Sequence, residues 1–201
     1  MFRSAKHSGA KTGGGTERPA WQTLAMAVSI RASRADDGPT LQTIEILAGA
    51  RFVEVGLTSI ADDSPLPIPT LTAYAEAGRS WVAVDDLNRP VGYALVDLVD
   101  SQAHLEQISV HPDHQGQGVG QALIGRVRSW AKASGCSTLT LTTFTDVPWN
   151  GPLYEHLGFE ALGPDEIAPG LRQLQLDEAE HGLDPARRVA MALDLRQPFG
   201  R

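Results

Sequence analysis

Val110-His111-Pro112-Asp113-His114-Gln115-Gly116-Gln117-Gly118-Val119-Gly120-Gln121-Ala122-Leu123 is the stretch from which the fold of this chain is read. The residues before it, 104–110, have the alternation of a β-strand. After it, Val119, Leu123, Val127, Trp130 and Ala131 fall on one face of a helix over 119–133, which Gly135 ends. Three glycines in five residues turn the chain between strand and helix. Glycine accepts positive φ and leaves room for a ligand beside the backbone. The first N–H groups of a helix are unpaired and stand at the positive end of its dipole, so the turn is a candidate anion cradle. A P-loop needs Gly-Lys-Ser/Thr, which is absent here. A dinucleotide fingerprint needs G-x-G-x-x-G with an acidic residue about twenty positions on. The spacing Gly116-x-Gly118-x-Gly120, with the next strand ending at Thr143 and Phe144, fits that pattern poorly.

Outward from the turn, strand-like runs at 80–84, 91–99 and 104–110 are separated by Asp-Asp-Leu-Asn-Arg-Pro and Asp-Ser-Gln, which predicts antiparallel hairpins. Residues 26–33 read as a first strand and 40–55 as a helix; 61–70, with three prolines and two aspartates, reads as a loop before a short helix at 70–77. Downstream, 138–144 is a β-branched strand, 152–157 a short helix ended by Gly158, Phe159 opens another extended segment, and 188–195 is a last strand. The order describes a mixed sheet with helices on its faces and no internal repeat.

Length and apolar content suit one domain, taken as 26–195, with a Gly-, Ser- and Lys-rich leader at 1–25 and a tail at 196–201. No apolar run reaches the roughly 18 to 20 residues of a membrane helix, and the start lacks the apolar segment of a secretory signal. One cysteine, Cys136, excludes an internal disulfide and agrees with a reducing, cytoplasmic setting. The formal charge is −7, and the first 25 residues hold four basic and one acidic residue, so the body is more acidic still. Such a body is a poor partner for duplex nucleic acid, and a bound phosphate must be held by local geometry. Trp21, Trp81, Trp130 and Trp149 are too dispersed for a base-stacking platform. His111-x-x-His114 lacks a third ligand, so no metal is expected.

Gln115-x-x-Gly118-x-Gly120 after a strand resembles the Gln/Arg-x-x-Gly-x-Gly/Ala signature of the GNAT superfamily of N-acetyltransferases, and Asn150-Gly-Pro-Leu-Tyr154-Glu-His-Leu-Gly158-Phe159 resembles that family's Asn-x-x-x-Tyr-x-x-x-Gly-Phe segment. The resemblance implies a mostly antiparallel twisted sheet of six to seven strands with about four helices, with acetyl-CoA as acyl donor and no metal. It implies that Ile108, Ser109, Val110, Gln115, Gly116, Gln117, Gly118, Val119, Gly120, Gln121, Asn150 and Tyr154 contact the cofactor, with the diphosphate on the turn. Dimers are common in the family, and a homodimer is an open expectation that no residue here demonstrates. One departure stands out: the family often carries Arg or Lys inside the turn, and here it reads His-Gln-Gly-Gln-Gly, which leaves Arg126 or Arg128 further along the helix as candidate cations.

Acyl transfer from a thioester to an amine needs a neutral amine, a polarised carbonyl and a departing thiolate, and direct attack needs no enzyme nucleophile. Alternation puts His104 and Glu106 on one strand face, with Ile108 and Val110 further along it. The resemblance makes His104 and Glu106 joint candidates for base or proton relay, and histidine titrates near neutral pH. A β-bulge, usual in the family, would break that alternation. The resemblance also assigns the Val110 N–H to the carbonyl and Tyr154 to the thiolate. Asn150 is a candidate helix cap, cofactor ligand, or both. Trp149, Phe144 and Asp146 are candidate walls of an acceptor pocket, and Asp62 and Asp63 candidate holders of a cationic amine. Three rival readings stand beside this one: a non-catalytic acyl-CoA sensor on the same fold, a dinucleotide-dependent protein, and an interaction protein using its acidic surface.

Overall fold

A computed structural model of the chain describes residues 28–197. Seven strands form one sheet in the order β1-β2-β3-β4-β5-β7-β6: Ser29–Ala32, Ser80–Val84, Pro90–Val99, Gln102–Val110, Thr138–Phe144, Arg188–Asp194 for β7, and Glu160–Ala161 for β6 at the edge. Every pair is antiparallel except β4 with β5. Six α-helices lie among the described residues: α1 (Gly38–Gly49), α2 (Thr58–Ala61), α3 (Ile68–Glu76), α4 (Val119–Ala133), α5 (Gly151–His156) and α6 (Pro169–Glu180).

Two apolar layers sandwich the sheet. Val119, Leu123, Ile124, Val127 and Ala131 of α4 pack on Ala83, Ala94, Val96, Leu105, Leu139 and Leu141 on one face. On the other, Leu41 and Ile44 of α1 and Leu71 of α3 pack on Val82, Val84, Tyr93 and Leu95. All five residues of β2 are buried, as expected for a strand covered on both sides. Asp100 and Ser101, at φ 51° and 61°, close the β3–β4 hairpin with the two positive φ values that a two-residue turn needs.

Several elements depart from their sequence-based bounds. The helix expected over 40–55 starts at Gly38, with Pro39 in its first turn, and tightens to a 3-10 helix over Ala50–Val55 that Gly56 ends at φ 74°. The loop expected over 61–70 is shorter, because α3 begins at Ile68, with Pro69 in its first turn where a missing N–H costs nothing. Helix α6 lies where no helix was read; its Leu171, Leu174 and Leu176 sit among charged and polar residues that weaken the periodic signal. The first strand starts at Ser29; positions 26 and 27 and the leader lie outside the described residues, as does the tail beyond Gln197.

Candidate functional site

The site is built where β4 and β5 part. Their parallel ladder consists of Ala103–Leu139 and His104–Thr140 and stops there, and the rest of the two strands diverges toward the glycine turn. The register of β4 on β3 shifts at the same place: Val96 pairs with Leu105 but Leu95 with Gln107, so Glu106 is the extra residue of a β-bulge. This corrects the alternation read from the sequence. Ile108 and Val110 emerge on the α4 face with Ala103 and Leu105, whereas His104 stays on the α1 and α3 face. His104 and Glu106 both sense Asp97, Glu178 and Arg188.

Burial changes the chemistry of both. His104 is 1% exposed, and desolvation pushes it down to about 4, with Glu178 and Asp97 opposing. It is therefore neutral near pH 7, contrary to the expectation of titration there. Thr140 donates its hydroxyl to the Ala103 carbonyl at 3.3 Å, so His104 Nδ1 at 2.9 Å is assigned as donor to Thr140, leaving Nε2 as the basic nitrogen. Glu106 is exposed to solvent, yet enough protein surrounds its carboxyl to disfavour the charge. Desolvation raises its carboxyl above the usual range, Asp97 and Glu178 add to this, and Arg188 opposes. Tyr154 lies on the α4 side of the gap, edge-on to Phe159, with burial raising its phenol to about 12 against the pull of Arg188. Arg188 thus acts electrostatically on all three candidates.

Other acidic groups sit on the α1 and α3 face. Glu178 of α6 pairs with Arg188 and accepts from Thr142, and Asp97 accepts from Tyr74 at 2.7 Å and pairs with Arg79. Glu45 of α1 accepts from the Tyr93 hydroxyl at 2.8 Å and the Leu66 N–H, and desolvation raises its carboxyl. None of the three was singled out from the sequence: Glu178 belongs to the unread helix, and Glu45 and Asp97 resemble any polar residue on an amphipathic element. Asp63, by contrast, accepts from the Ser64 N–H within its own loop. Phe144 is buried and meets Phe52 at 6.0 Å, Trp149 meets Phe52 edge-on at 6.0 Å, and Asp146 pairs with Arg187.

The turn has the geometry its sequence implied. Gly116 and Gly118 stand at φ 70° and 82°, and a Cβ at either would meet nothing within 4 Å, so open space adjoins the backbone at the start of α4. Gly116, Gln117, Gly118 and Gln121 are exposed, Gly120 is half-buried and Val119 anchors the helix in the core. These residues fit a diphosphate held by main-chain N–H groups. Gln115 ties the turn to the end of β4 by donating to the Val110 carbonyl at 3.0 Å, and Ser109 accepts from Gln107. Asn150 occupies the N-cap position of α5 without a side-chain capping bond. Of the two arginines expected near the turn, Arg126 lies over Trp81, and Arg128 donates to the Gln197 carbonyl.

Residues 50–159 match the Acetyltransferase (GNAT) family, and the chain belongs to it. It is an acyl-CoA-dependent N-acyltransferase. The chain is 27% identical over 143 residues to the peptidyl-lysine N-acetyltransferase YjaB of Escherichia coli strain K12, spanning 71% of this chain and 88% of that one. Its fold is similar to that of the PaiA N-acetyltransferase from Thermoplasma acidophilum in complex with coenzyme A, with TM-score 0.63 and 14% identity over 84% of this chain and 99% of that one. It is also similar to the ribosomal-protein-S18-alanine N-acetyltransferase from Escherichia coli, with TM-score 0.58 and 21% identity over 85% and 96% of the two chains.

Proposed function

We infer that this chain transfers an acetyl group from acetyl-CoA to a primary amine by direct attack within a ternary complex. The observation that carries the reading is the parting of β4 from β5 directly after His104–Thr140, with the glycine turn at the end of β4. The gap accommodates a slender pantetheine arm, and the turn accommodates its diphosphate. The reactive thioester supplies the acyl group, and the side chains and backbone around it orient the amine and move its protons.

The amine enters from the α1 and α3 face, where Asp97, Glu106, Glu178 and Glu45 make an acidic surround that favours a cation. An alkylammonium must lose a proton before it attacks. Glu106, raised by desolvation, accepts that proton directly or through Nε2 of His104. The N–H of Val110, at the end of the splayed strand, polarises the carbonyl oxygen as negative charge builds there. Tyr154, across the gap, holds its proton at neutral pH and donates it to the departing sulfur. Ile108, Ser109 and Asn150 flank the arm on either side of the gap. The similar proteins act on a peptidyl lysine and on a protein alanine, both amines, which supports an amine acceptor here without choosing between them.

Calorimetric titration with acetyl-CoA, with NAD as control, tests the donor. Micromolar binding displaced by CoA and absent for NAD is expected. Thiol release in the presence of peptide and small amines then tests turnover, and binding without release for any amine would leave a sensor instead.

A further inference from the structure

The turn from His111 to Gln121 contains neither Lys nor Arg, and the chain around it is acidic, with formal charge −7. A diphosphate placed there meets backbone dipoles but no fixed positive charge from the turn itself. The tertiary structure brings one from elsewhere. Arg51, in the 3-10 turn after α1, donates from Nη1 to Gln115 Oε1 at 3.2 Å, 64 positions away in sequence. Its guanidinium carbon lies 3.8 Å from the centre of the Trp149 ring. Arg51 thereby spans the mouth of the gap, from Gln115 in the turn on the β4 side to Trp149 after β5 on the other. Its carboxylate neighbour is Glu54 at 3.9 Å, an exposed pair within one helical turn that constrains it weakly.

We propose that Arg51 is the cation for the CoA diphosphate in this protein: stacked on Trp149 and joined to Gln115, its guanidinium supplies from the acceptor-side helix the charge that the glycine turn lacks. The inference rests on the acetyl-CoA reading above. A guanidinium suits the task because its planar fork can stack on an indole while donating several N–H bonds to phosphate oxygens. The stacking also pre-sets its orientation, so less side-chain freedom is lost on binding. The bond to Gln115 ties the guanidinium to the residue directly before Gly116, where open space adjoins the backbone.

The test compares three ligands on wild type, Arg51→Gln and Arg51→Lys: acetyl-CoA, acetyl-dephospho-CoA (diphosphate kept, 3′-phosphate removed) and S-acetylpantetheine (no diphosphate). Arg51→Gln should weaken both diphosphate-bearing ligands about ten- to a hundredfold and change S-acetylpantetheine by less than about twofold, with Arg51→Lys between. An equal loss for all three ligands would show that Arg51 merely holds the two walls together. Tighter acetyl-CoA binding by the variant would make it a latch, and unchanged binding would make it a bystander; each overturns the proposal while wild-type binding stands. Wild type that binds none of the three ligands would overturn the acetyl-CoA reading and the proposal together. Should Arg51→Gln fail to fold, Arg51→Lys against the same three ligands decides the matter.

Discussion

Each reactive side chain carries a role that its surroundings decide. Tyr154, raised to about 12 by burial, keeps its proton at neutral pH, as the proposed role of proton donor requires. Tyr154→Phe should therefore lower kcat by about ten- to a thousandfold with acetyl-CoA affinity nearly intact, measured by thiol release and calorimetry. Unchanged kcat would remove it from the mechanism. Glu106 must be ionised to act, so activity should fall as pH drops through its raised pKa. Glu106→Gln should lose about a hundredfold or more and lose that inflection, leaving only the rise due to free amine. A retained inflection would shift the role to His104 or to solvent. His104 can be tested through stability. Its folded value, about 4, lies below its ordinary 6.5, so between those values the unfolded chain binds a proton that the folded chain refuses. Stability should thus fall as pH drops from about 6.5 to 4, by on the order of 3 kcal/mol. Glu106, shifted upward, acts in the opposite sense, so the informative quantity is the difference between wild type and His104→Gln in denaturant titrations at about pH 7 and about pH 4.5. The variant should lose less stability on acidification, and an equal loss would mean that His104 is not a buried neutral group.

At the scale of elements, the glycine turn and α6 make different demands. At Gly118 a Cβ has space but the wrong φ, so Gly118→Ala should cost about 1–2 kcal/mol of stability. It should also weaken acetyl-CoA binding, because the added methyl stands in the space meant for the ligand; a variant destabilised but with full affinity would place the diphosphate elsewhere. Helix α6 is fixed at its start by Asp100, whose carboxylate accepts from the N–H groups of Gly170 and Leu171 at 2.9 and 3.0 Å. Asp100→Asn keeps a residue tolerant of positive φ in the hairpin but weakens this cap. A loss of about 1 kcal/mol is expected, with faster hydrogen exchange in α6, and unaltered exchange there would show that the helix is held by its packing alone. Since α6 carries Glu178, which holds Arg188, loosening it should also disturb the field felt by His104, Glu106 and Tyr154.

For the whole molecule, the gap between β4 and β5 is a break in an otherwise continuous sheet. A ligand seated there joins both halves, so acetyl-CoA at about 100 times its Kd should stabilise the protein by about 2.7 kcal/mol, read as a rise in Tm. Most of the architecture that creates the gap was legible in the sequence. The bounds 80–84, 119–133 and 138–144 match their elements because each has a strong period and turn residues at its ends. The glycine turn was legible for the same reason: positive φ and open space are properties of the glycines themselves. Long-range relations were not. The bulge at Glu106 was anticipated only from the family resemblance, because it depends on how β3 and β4 register; plain alternation put Ile108 and Val110 on the wrong face. The neutral state of His104 results from burial by segments distant in sequence, and the charge beside the turn arrives from Arg51 across 64 positions. Local sequence determines which segments are strand, turn and helix, since those choices rest on backbone conformation and apolar period. Which charges meet, and with what pKa, only the tertiary structure decides, because desolvation and Coulomb energy depend on distance in space.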